Sequence, residues 1–127
     1  MKSNSFPIYD SKAHQSLSQT TLLVDAAEAV CYQISSRLIG GGLMVRIGKN
    51  RAPKKWNPFA NRSDTYKLAY DLKMFIDFQA RIITVPVFDE NGDYLYSHNE
   101  TWIEDDKDAV AVVKAAAHVG KKKRKST

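Results

Sequence analysis

The stretch WNPFANRSDTYKLAYDLKMFI, from Trp56 to Ile76, joins a basic segment to a pair of strands. Thr65, Leu68, Leu72 and Phe75 recur at steps of three and four, and Ala69 and Ile76 widen that stripe. Lys67, Asp71 and Lys73 lie largely off it. This period predicts a helix that packs one face on a core. Asn61 or Ser63 supplies the N-cap, because a short polar side chain accepts from the unpaired first-turn amides. Asp64 then lies near the positive end of the helix dipole. Pro58 keeps Asn57 out of the helical region, so Trp56 to Ala60 is extended or turning. Trp56 has two readings. With Phe59 it clamps the turn onto the body as a packing anchor, or its ring is an exposed binding tip.

Towards the N-terminus, Leu23, Ala27, Val30, Ile34 and Leu38 mark a first helix from about Thr21 to Ile39. Its early turns hold Asp25 and Glu28, and Arg37 lies near its end, as the dipole favours. Cys31 falls in this apolar pattern and reads as a buried small hydrophobe. Gly40, Gly41 and Gly42 stop the helix, since glycine takes the left-handed conformation of a helix C-terminus. A phosphate loop would need its glycines before a helix; here Leu43 to Ile47 reads as a short strand. Gly48 to Lys55 is a basic loop, either a solvated connection or a contact for phosphates or an acidic partner.

Towards the C-terminus, Arg81 to Phe88 is a strand apolar on both faces, which suits a covered sheet. Pro86 makes it an edge strand or a bulged one. Asn91-Gly92 signals a hairpin turn, and Tyr94 to His98 returns as the partner strand. Asp89, Asn91, Asp93 and Glu100 imitate a calcium loop, but Tyr94 stands where the sharp-turn glycine belongs, so a plain acidic hairpin is expected. Glu104, Asp105 and Asp106 begin a last helix that ends at Gly120. Its alanines and valines allow close approach over a wide arc, enough to cover a sheet or to meet a second copy in a homodimer.

The chain has 127 residues, 43% of them hydrophobic and 26% charged, as a single folded domain requires. One cysteine excludes an internal disulfide. No apolar run spans a membrane and the N-terminus is no signal peptide, so a cytoplasmic setting is expected. There are 19 basic and 14 acidic residues, a net charge of +5. Lys121, Lys122, Lys123, Arg124 and Lys125 account for all five, which leaves residues 1–120 formally neutral. Within that body Arg46, Lys49, Arg51, Lys54, Lys55 and Arg62 fall in an acid-free stretch, 41 to 63. These residues, Trp56 and the five of the tail are the candidate binding residues, because charge beside a stacking ring is how single strands are held. His14, His98 and His118 lack metal-ligand spacing, and no nucleophile with an orienting base is evident. No catalytic residue, cofactor or metal is assigned.

Trp56-Asn57-Pro58-Phe59 followed by Ser63 to Leu72 resembles the aromatic, polar and spaced Ala/Leu segment of the phage ABA sandwich family. Asp108-Ala109-Val110-Ala111-Val112-Val113-Lys114-Ala115-Ala116-Ala117 looks like that family's alanine-rich helix, and Ala29-Val30 lies on a helix in the right order. The resemblance covers about residues 25 to 120, and departs at the glycine triplet and the basic insertion before Trp56. It implies a three-layer α-β-α sandwich, α+β in class, with about three helices and a mainly antiparallel sheet of three or four strands. It also implies a phage or prophage source, and no catalytic residues to carry over. The expected organisation is a flexible segment 1–18, a sandwich domain 19–120 and a disordered basic tail 121–127. The expected function is non-catalytic binding of a host protein, with DNA or RNA binding as the alternative.

Overall fold

The computed structural model describes residues 19–39, 41–48, 51–103 and 107–126, with the side chains of 124–126 excepted. The expected loose segment 1–18 and the acids Glu104, Asp105 and Asp106 lie outside the described residues. Helix α1 covers residues 19–29. It is followed by β1 (Gln33–Arg37), β2 (Leu43–Arg46), β3 (Lys54–Trp56) and α2 (Arg62–Asp71). The chain continues through β4 (Phe75–Asp77), β5 (Ile82–Phe88), β6 (Tyr94–Thr101) and α3 (Asp108–Ser126). The result is the α+β sandwich of helices and antiparallel strands that the sequence predicts. Its described strands form two sheets, β1-β2-β3 and β4-β5-β6, rather than one of three or four strands.

The extra strand comes from the segment read as the second half of the first helix. The helix stops early because Cys31 takes a left-handed conformation, with φ 61°. The Cys31 amide then donates to Glu28 O and the Tyr32 amide to Ala27 O, at 3.1 and 2.9 Å. That is the Schellman arrangement, which satisfies the last helical carbonyls. Beyond it the chain is extended as β1, and the glycine turn closes a β1–β2 hairpin instead of ending a helix. Gly41 and Gly42 have φ 115° and 92° there. Cys31 itself is exposed, not buried.

Helix α2 ends by the same device. Lys73 has φ 60°, and the Lys73 and Met74 amides donate to Tyr70 O and Ala69 O. The reversal takes Phe75 and Ile76 off the helix and into β4, opposite Thr84 and Ile83. A non-glycine residue in this region costs about 1–2 kcal/mol, against about 0.5–1 kcal/mol for the extra freedom of an unfolded glycine. Lys73→Gly is therefore expected to stabilise the protein by about 0.5 kcal/mol in denaturant titrations. At the other end of α2, Asn61 is the N-cap, accepting from the Asp64 amide at 3.1 Å.

Strand β5 is central in its sheet, although Pro86 predicts an edge strand or a bulged one. The two facts agree because β4 pairs only with Ile82 to Thr84 and stops short of Pro86. A register shift follows between Val87 and Phe88. Ile83, Val85 and Val87 form the buried face of β5, while the opposite face is half-buried to exposed.

Helix α3 packs against α2, β5 and β6 and reaches the backbone of α1. Ala111, Val112, Val113, Ala115 and Ala116 are within 1% of complete burial. The alanine and valine arc is thus used inside the chain. Gly120 does not end α3. A Cβ there would lie 1.8 Å from Asp25 O and 3.3 Å from the Ala29 amide nitrogen, so glycine lets α1 and α3 meet backbone to backbone. The helix continues through the basic run to Ser126 instead of dissolving at residue 121. One anchor for this extension is Lys123, whose Nζ donates to Ala29 O at 2.7 Å. A cation at the C-terminal carbonyls of α1 also complements the helix dipole.

Candidate functional site

The basic residues named from the sequence are divided by the fold. In β2, Leu43 and Val45 point into the core, so Met44 and Arg46 face the other way. The register places Lys55 opposite Met44 and Gln33 opposite Arg46. Arg46 and Lys55 therefore share the outer face of the first sheet. Arg51, Lys54 and Arg37 are also exposed, but Lys54 is opposite Val45 and Arg37 opposite Leu43, so these two belong to the other side of the ladder, at the edges of the sheet. No aspartate or glutamate occurs between Glu28 and Asp64, so the whole sheet β1-β2-β3 lacks an acid. The Nε of Arg46 is buried with no hydrogen-bond acceptor among the described residues. Lys49 lies outside the described residues. Arg37 was missed because its segment read as helix; the length of the acid-free run was the available signal.

Trp56 does not join this face. It is 2% exposed, and its ring meets Tyr32 edge to face with centroids 5.5 Å apart. Its burial leaves no ring face for a base, and the packing-anchor reading holds. Tyr32 is in turn tied to α2. Burial, then the charges of Asp71 and Asp64, push its phenol up to about 12.

Arg62 is also taken up internally. Its Nη1 donates to Asp108 Oδ1 at 2.8 Å, and Tyr66 OH donates to Asp108 Oδ2 at 3.1 Å. Arg62 Nη2 also reaches Tyr66 OH. Asp108 is buried in the first turn of α3, so this clasp joins the starts of α2 and α3. Hydrogen bonding to Asp108 and its charge hold the Arg62 guanidinium above its ordinary value. In the basic run, Lys121 is exposed, Lys122 Nζ lies 6.0 Å from the centre of the Tyr96 ring, and Lys123 caps α1. Lys123 Nζ is also 3.6 Å from Cys31 Sγ, so the thiol does have a basic neighbour. The side chains of Arg124 and Lys125 lie outside the described residues.

The fold also brings together two histidines twenty residues apart in sequence. His98 on β6 and His118 on α3 stack with centroids 3.7 Å apart and planes 1° from parallel. His118 Nε2 is 2.8 Å from Tyr96 OH, and His98 Nε2 is 2.6 Å from Glu100 Oε2. Burial lowers the His118 pKa first; His98, Lys122 and Lys121 act in the same direction, and Glu100 opposes them. In the unfolded chain a histidine titrates near 6.5. Below that pH the unfolded chain takes up a proton that folded His118 resists, so stability falls as the pH drops from about 6.5. Denaturant midpoints measured down to about pH 5 should show this decline, and His118→Gln should flatten it.

Glu100 is thus engaged at the far end of β6 from the hairpin. In the turn, Asp89 Oδ1 accepts from the Asn91 and Asp93 amides, both at 2.9 Å. The acidic residues there form a turn. Among the described residues no three His, Cys, Asp or Glu side chains are placed to hold a metal ion. No described helix is long and apolar enough to cross a membrane. No family model, curated protein or solved structure matches the chain.

Proposed function

We propose that the protein is a small phage or prophage accessory protein that binds an acidic surface of a host protein without turnover. The outer face of β1-β2-β3 is the contact. The observation that carries this reading is a sheet whose outer face holds Arg46 and Lys55, with Arg37, Arg51 and Lys54 exposed at its edges and no acid between Glu28 and Asp64. Such a face steers an acidic partner into register more than it supplies affinity. The phage setting rests on the sequence resemblance.

Nucleic acid is the competing partner for the same charges. The internal use of Trp56, Arg62 and Lys123 takes away the stacking ring and two of the cations that this alternative relies on. Titration with single- and double-stranded DNA and RNA at two salt concentrations separates the two. The host-protein reading expects weak binding that salt removes. Tight binding that persists after Lys121 and Lys122 are neutralised, and that falls on neutralising Lys54 and Lys55, would establish the nucleic-acid reading instead.

A further inference from the structure

Strand β6, Tyr94–Thr101, ends its sheet, and no described strand pairs with its outer edge. An unpaired edge presents a row of amides and carbonyls that another strand can use. Folds guard such edges with short strands, irregular pairing, lysine or proline. The other three edges among the described strands are guarded in these ways. β1 has a register shift between Ile34 and Ser36. β3 has three residues, two of them lysines, and follows Pro53. β4 also has only three residues. β6 has eight, with no lysine, arginine or proline. Its pairing with β5 runs unbroken from Tyr96 to Thr101.

The chemistry of the edge selects its occupant. Glu100 is the only acid on β6, and it meets His98 at 2.6 Å, so the edge offers little to a strongly charged strand of either sign. Its own sequence fits it. Residues opposite each other in an antiparallel pair share a face of the sheet. Tyr96 and His98 point towards α3, where both meet His118. Two copies of β6 keep these faces together when the two-fold axis passes through a residue. The regular stretch pairs most fully with itself when that residue is His98. Tyr96 then lies opposite Glu100 of the second copy and Ser97 opposite Asn99, so no acid faces an acid. We propose that the protein forms a two-fold homodimer by antiparallel pairing of β6 with β6, which joins two β4-β5-β6 sheets into one of six strands. Only the three-residue β4 edges remain at its ends, so the assembly closes at two copies. Edge pairing buries less than the roughly 800 Å² per partner of a standard interface, so the dimer is reversible. It leaves the basic sheet untouched and does not depend on the function assigned to that sheet.

The test uses the full chain. Sedimentation equilibrium over about 5–500 μM, where weak interfaces assemble, is expected to move from 14.3 kDa to twice that mass. Over the same range, hydrogen exchange is expected to slow at those amides of Tyr96–Thr101 that β5 does not hold. Ser97→Lys with Asn99→Lys sets lysines opposite each other beside the two-fold axis and should weaken the dimer by about tenfold or more. Both positions are exposed, and circular dichroism checks that the double variant folds; if it does not, exchange in the unmodified chain decides. A monomer at every concentration, species larger than two copies, a dimer that the folded double variant keeps, or dimerisation that leaves β6 exchange unchanged would each overturn the proposal. So would protection of the same amides in the monomer, which would mean that another segment of the same chain occupies the edge.

Discussion

Gly120→Ala is expected to destabilise the protein by about 3 kcal/mol, with loss of the folded state at moderate temperature as the extreme result. Two effects of opposite sign compete at this position. In a free helix, alanine is better than glycine by about 1 kcal/mol. Here the added Cβ would lie 1.8 Å from Asp25 O and 2.8 Å from its carbonyl carbon. Both are main-chain atoms of α1 and cannot rotate away, so α1 and α3 must separate. Separation opens the packing around Ala26, Ala29 and Ala116, all of them buried. Overpacking in a dense core typically costs about 1–3 kcal/mol, and contact with backbone belongs at the upper end. Urea titration reads the sign directly. A gain in stability would mean that the helices do not meet at Gly120.

Trp56→Ala is expected to cost about 3–5 kcal/mol, the usual range for deleting a large buried aromatic. That is a large part of the roughly 5–15 kcal/mol that holds a domain together. Trp56 is opposite Leu43 in the β2–β3 ladder and against Tyr32. Its carbonyl oxygen would be only 3.2 Å from a Cβ on Gly42. The side chain therefore holds the edge strand β3, with Lys54 and Lys55, onto the body. Trp56→Phe should recover much of the loss. If Trp56 were a binding tip, Trp56→Ala would leave the denaturation midpoint unchanged.

The features legible in the sequence were those with local causes. Asn61 capping α2, the Asn91-Gly92 turn and the Leu43 strand each follow from a few adjacent residues. What was missed depended on distant parts of the chain. Ile34 and Leu38 continue the helical stripe of Leu23, Ala27 and Val30 in sequence, yet the helix ends at a left-handed cysteine that no glycine or proline announces. The same holds for Lys73, which hides β4 inside an apparent helix. Gly120 looked like a terminator because nothing nearby reveals the α1 backbone against it. The basic run looked too charged to fold, but Lys123 has the α1 carbonyls as a partner 94 residues away in sequence. The binding residues were legible as charges, whereas their sorting into an open sheet face, an ion-pair clasp and a helix cap required the fold.

The most direct measurement is capture of a partner from nuclease-treated bacterial lysate by the intact chain and by a variant with Arg51→Glu, Lys54→Glu and Lys55→Glu. All three are exposed, so the variant should retain its fold, which circular dichroism checks. The account predicts that the intact chain captures one discrete protein after nuclease treatment and that the triple variant captures none. Capture that disappears with nuclease, or a partner that the triple variant still holds, would contradict it.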